Sequence, residues 1–89
     1  MNYLEDIDYS LNHPNWPYAS NGIYKVITAI IRTEGVSKDE KAILLDYDER
    51  IAAANYYNMW THTIDNKKLE VFQSLCGDLK VYIKEVLGL

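Results

Sequence analysis

The sequence predicts an all-α fold, a small single-domain bundle of four to five helices spanning residues 1–89. Three observations predict it. Apolar residues recur at three- and four-residue spacing along most of the chain, helix start and stop signals bracket those stretches, and no stretch alternates with period two. A chain of this length supports one modest core, burying ~60–65% of the surface that the unfolded chain exposes.

The first helix is expected over Asn2 to Asn12, with Asn2 and Glu5 as a capping pair and Leu4, Ile7 and Leu11 as a narrow apolar stripe. His13-Pro14-Asn15-Trp16-Pro17-Tyr18 interrupts it, because each proline pushes the preceding residue out of the α region. Trp16 and Tyr18 are expected to fold back and plug one end of the bundle; the other possibility is a rigid aromatic loop that binds something.

An antiparallel helical hairpin follows, over about 22–34 and 38–54. Ile23, Val26, Ile27, Ile30 and Ile31 share one arc of a helical wheel, opposite Lys25, Thr28 and Arg32. Ser20 and Asn21 are N-cap residue types, and Gly35 can adopt the left-handed conformation that stops a helix. Ser37 and Glu40 form a capping box for the next helix, with Asp39 and Glu40 matched to its positive end. Leu44, Tyr47, Ile51 and Ala54 make its inward stripe.

Beyond Ala54 the pattern conflicts with itself. A continuous helix would put Asn58 in the core and line up Asp46, Glu49, Ala53, Tyr56 and Trp60 on the opposite face. Either the helix breaks near Ala54-Asn55 and restarts with Tyr57, Trp60 and Ile64 inward, or it continues and its aromatic end is covered by the first helix, the Trp16 loop or another molecule. Asp65-Asn66 then caps a long C-terminal helix of about 66–87, with Leu69, Phe72, Leu75, Cys76, Leu79, Tyr82, Ile83 and Val86 on one arc and Gly88 as its stop.

Composition narrows the function. The net charge of −4 favours solubility and opposes binding to nucleic acid or anionic membrane. The N-terminus lacks the basic and hydrophobic regions of a signal peptide, and no apolar run approaches the ~20 residues that span a bilayer, so a cytoplasmic location is expected. Cys76, the only cysteine, lies on an apolar arc and reads as a small buried hydrophobe. Two distant histidines, no cysteine pair and no Glu-x-x-His motif predict no metal and no cofactor. Asp46-Tyr47-Asp48-Glu49 is best taken as a solvated acidic face, since successive helical positions point in different directions. No phosphate-binding glycine loop or nucleophile elbow is present, and a non-enzymatic protein is expected.

Arg32-Thr-Glu-Gly-Val-Ser-Lys-Asp-Glu, followed by Leu44 and by Glu49-Arg50-Ile51, resembles the second-helix region of colicin-nuclease immunity proteins. Those are small acidic four-helix proteins that inhibit by surface binding and carry a paired tyrosine, of which Tyr56-Tyr57 is reminiscent. The likeness covers about a quarter of the chain and consists mostly of the helix-stop and capping-box signals. The spacing to the tyrosines differs, and Asn58 stands where that family has proline.

Eight tyrosines and two tryptophans are many for this length, and both types are enriched at binding hot spots. Asp46, Glu49, Tyr56, Tyr57 and Trp60 are therefore the candidate partner-binding residues, an aromatic centre with an acidic rim. Such a surface suits a protein partner with a basic face, such as a nucleic-acid-processing enzyme blocked by an inhibitor or immunity-type protein. The same surface would equally serve a homodimer. The Gly35-Val36-Ser37 turn also matches a helix-turn-helix regulator, but the helix after it carries too many carboxylates for a DNA-binding footprint.

Overall fold

The computed structural model describes residues 2–15 and 18–89. Four α-helices, α1 (Tyr3–Asn12), α2 (Ala19–Ile31), α3 (Lys38–Ala54) and α4 (Asn66–Val81), enclose one continuous core. A small hairpin of β1 (Tyr57–Asn58) and β2 (Thr63–Ile64) joins α3 to α4, and a π-helical turn, Tyr82–Val86, extends α4. α1 packs on α2, α2 on α3 and α3 on α4, while contacts between α1 and α4 close the bundle.

The capping chemistry sets the helix starts. Asn2 Oδ1 accepts from Glu5 N at 3.1 Å and starts α1. Ser37 and Glu40 form the expected reciprocal box: Glu40 N donates to Ser37 Oγ at 3.1 Å, and Ser37 N donates to Glu40 Oε1 at 2.9 Å. Asp65 Oδ1 accepts from Lys67 N and Lys68 N at 3.0 and 3.1 Å and starts α4.

α2 departs from its expected bounds at both ends. It begins at Ala19, so Ser20 and Asn21 lie inside its first turn rather than capping it. It ends at Ile31, before Gly35, because Thr33 tightens the last turn: its N–H donates to Ile30 O at 2.9 Å and its hydroxyl to Ala29 O at 3.0 Å. Gly35 does take a left-handed φ of 91°, in the connecting turn.

The apolar stripes meet as the spacing predicts. Ile23, Val26, Ile27 and Ile30 of α2 face Leu44, Ile51 and Ala54 of α3, with Ile7 of α1 and Phe72, Cys76, Leu79 and Ile83 completing the core. Each fully buried aliphatic or aromatic side chain of this kind contributes about 1.5–3 kcal/mol relative to exposure. An Asp8–Lys80 ion pair, half-buried, ties α1 to α4.

Two sequence expectations at the edges of the core fail for local reasons. Val86 was expected inside but is 59% exposed. The π-helical turn bonds Leu87 N to Tyr82 O, an i→i−5 pattern that advances less per residue than an α-helix. It therefore rotates Val86 outward and leaves Leu87 against the core. Gly88, with φ 69°, follows as the expected stop. Tyr18 is 51% exposed at the N-cap of α2, not a plug; the plug expected of Trp16 lies outside the described residues.

Among the described residues, no helix is long and apolar enough to cross a membrane.

Candidate functional site

α3 breaks where its stripe comes into conflict. Asn55 takes a left-handed conformation, φ 36° and ψ 56°, which asparagine tolerates better than most residues. The chain then changes from a period of 3.6 to one of 2, and successive side chains point to opposite sides. Tyr56 consequently turns inward, only 3% exposed, with its ring tilted against Phe72 at 4.8 Å between centroids. Burial, with Cys76 nearby, pushes its phenol pKa upward. Its hydroxyl has no hydrogen-bond partner among the described residues.

The strands pair antiparallel in the register Tyr57↔Ile64 and Asn58↔Thr63, leaving Met59 to His62 as a four-residue loop. Side chains fix that loop more than the short ladder does. Asn58 Oδ1 accepts from Trp60 N at 2.9 Å and from Thr61 N at 3.2 Å, an Asx-type turn. The hydroxyls of Thr61 and Thr63 are hydrogen-bonded at 2.6 Å. His62, with a left-handed φ of 54°, closes the loop, and its Nδ1 is hydrogen-bonded to the Tyr57 hydroxyl at 3.3 Å. At the base of the hairpin, Asp65 N donates to Tyr56 O at 2.9 Å.

Trp60 projects from this tip and is 94% exposed, beside Met59 at 57%. Between the tip and the start of α4 lies an open concavity of about 550 Å³, whose walls include Tyr57, Asn58, Asp65 and Lys68. A smaller cleft of about 190 Å³ lies where Tyr57 and Met59 meet Ser20 of α2 and Ala52 of α3.

The five candidate residues are thus divided. Tyr57 and Trp60 sit together on the hairpin, while Tyr56 belongs to the core and cannot serve as a contact. The expected inward restart at Trp60 is reversed, because the break produces a hairpin instead of a second helix. Glu49 is exposed on α3 and is not among the residues that line the concavity or the cleft at the hairpin. Asp46 lies a turn further back and is paired with Arg50 at 3.0 Å, with both side chains largely exposed. Asn58, Met59, His62 and Lys68 were missed. Asn58 in a Tyr/Trp/Thr/Ile-rich stretch was the available signal, being a turn-former amid strand-favouring residues.

Away from the hairpin, burial shifts three further ionisable groups. Cys76 is fully buried, and burial pushes its thiol pKa up to about 12. Burial also raises Asp48 and, with Glu40 and Tyr47 nearby, Tyr82. Among the described residues, no three His, Cys, Asp or Glu side chains converge as metal ligands would.

No family profile, curated protein or solved structure matches the chain. The likeness to nuclease immunity proteins therefore rests on the Arg32–Ile51 residues and the tyrosine pair alone.

Proposed function

We propose that this protein is a non-enzymatic interaction module that binds a protein partner through the Tyr57–Ile64 hairpin, with Trp60 as the anchor. The observation that carries this is a tryptophan 94% exposed on a tip whose backbone is braced by the Asn58 hydrogen bonds, with Thr61 and Thr63 bonded beside it. Exposing an indole lowers solubility, and fixing the backbone beneath it lowers the entropy lost on docking. Both favour an anchor residue over an incidental surface side chain.

α3 also carries exposed carboxylates, Asp46 and Glu49 among them. With a net charge of −4, this favours encounter with a basic protein surface. A nucleic-acid-processing enzyme has such a surface, and an inhibitor or immunity-type protein that covers it would act without catalysis. This agrees with the buried state of the lone thiol.

The test uses the full chain as bait in extract from the cells that make it. The native bait should retain a partner that salt elutes. Trp60→Ala should lose it, with binding weakened by ~2 kcal/mol or more and the melting temperature unchanged. Equal capture by both baits would remove Trp60 from the interface.

A further inference from the structure

We propose that Met59 is a site of reversible oxidation by peroxide, and that its sulfoxide switches off the Trp60 anchor. The switch rests on the hairpin being the binding surface; the oxidation itself does not. The sulfur chemistry open to this chain belongs to one cysteine and two methionines. Cys76 is enclosed in the core, and burial keeps its thiol protonated, so it presents no accessible thiolate. Met59 is exposed at the hairpin tip and is the one methionine among the described residues, Met1 lying outside them. Susceptibility to oxidation follows exposure, so an oxidant reaching the described surface meets the Met59 thioether well before the core thiol.

Position gives the modification its consequence. Met59 precedes Trp60 in the loop between the two strands, and both side chains are exposed. Met59 also lines both recesses of the hairpin: the open concavity, and the cleft where the hairpin meets Ser20 of α2 and Ala52 of α3. A partner that covers the indole therefore covers the thioether beside it. The bonds that brace the tip run from the Trp60 and Thr61 amides to Asn58 and use no atom of Met59. Oxidation at Met59 thus alters the contact surface and leaves the brace in place.

The step is a two-electron oxidation of sulfur. The Met59 sulfur lone pair attacks one oxygen of hydrogen peroxide, the O–O bond breaks, an S=O bond forms, and the second oxygen leaves as water. Two thiols reverse it through a sulfoxide reductase, closing to a disulfide as the oxygen departs as water. The product puts a polar acceptor where a flexible apolar side chain stood. In a contact that excludes water, that oxygen needs a donor, and without one binding weakens by ~10-fold or more.

The test treats the purified full-length chain with dilute hydrogen peroxide and locates the added oxygen by peptide mass mapping, which separates Met59 from Met1. Met59 should gain one oxygen while Cys76 gains none, with the helical spectrum unchanged. As bait in cell extract, the oxidised chain should retain at least ~10-fold less partner than the untreated chain. Sulfoxide reductase with a thiol should restore capture, and a Met59→Leu bait should capture normally and ignore peroxide. A Met59 that stays reduced while Cys76 or Trp60 is oxidised overturns the proposal. So does an oxidised bait that captures as well as the untreated one, or a Met59→Leu bait that peroxide still disables. If the untreated bait captures nothing, the interaction reading fails and takes the switch with it, while the peptide map alone decides the oxidation site.

Discussion

Tyr56 and Trp60 are four residues apart, and a single left-handed residue decides their different fates. Had α3 continued, both would share one face. Asn55 instead sends Tyr56 under the hairpin against Phe72 and leaves Trp60 at the tip. The buried tyrosine is imperfectly accommodated, because its hydroxyl is shielded from water with no partner among the described residues. Leaving a buried hydroxyl unpaired costs about 1–3 kcal/mol. Tyr56→Phe keeps the ring contact and removes that cost, so it should raise stability, by up to ~1 kcal/mol in urea denaturation; a loss of stability would mean the hydroxyl is bonded. Cys76 gives a second residue-scale expectation. Burial pushes its thiol up to about 12, well above the ordinary thiol range, so the folded state holds its proton more tightly. Its contribution is fully present below pH 9 and is lost as pH rises toward 12, by on the order of 3–4 kcal/mol. Tyr56 and Tyr82 shift in the same direction and steepen the loss. Alkaline unfolding followed by circular dichroism checks this, and Cys76→Ala should move the midpoint to higher pH relative to its own stability at neutral pH.

At the scale of elements, the helices were legible because their signals are local and redundant. The capping box of α3 and the cap of α4 stand in sequence with the side chains that make them, and the isoleucine arc of α2 repeats through more than two turns. The end at Ile31 was decided by hydrogen bonds from Thr33 that compete with the glycine stop, while the start at Ala19 has no side-chain cap to mark it. The hairpin was not legible. Strands of two residues cannot show a period of two, and the conflict beyond Ala54 announced a break without saying what followed. As a result, the candidate residues are divided: Tyr57 and Trp60 lie together, Tyr56 is inside, and Asn58 was overlooked although it organises the tip. Asn58→Ala removes the acceptor of two backbone N–H groups. It should cost about 1 kcal/mol of stability and accelerate amide hydrogen exchange at Trp60 and Thr61 while leaving α1 and α2 unaffected. Unchanged exchange at those two amides would show that the tip is held by other means.

At the scale of the whole molecule, the charge on each element decides between classes of partner. The α2-turn-α3 unit has the order of a helix-turn-helix, with Gly35 in a left-handed turn and a capped N-terminus on α3. In a DNA complex the first turns of α3 would enter the major groove, flanked by phosphates. α3 carries Asp39, Glu40, Asp46, Asp48 and Glu49 against Lys38, Lys41 and Arg50. Each phosphate neutralised by a cation releases counterions and strengthens binding, whereas each carboxylate brought beside a phosphate opposes it. Glu40 is already held in the capping box, so its charge stays fixed at the helix start that would face the groove. The Arg50 charge is partly neutralised by Asp46. The balance on this helix is therefore repulsive, and the whole chain at −4 adds to it. Mobility shift and fluorescence anisotropy with mixed-sequence duplexes should give no binding at ~0.15 M salt. Even at low salt, any weak association should lack sequence preference. A selective shift that weakens steeply with added salt would instead make α3 a recognition helix, and the hairpin would lose its claim as the principal binding surface.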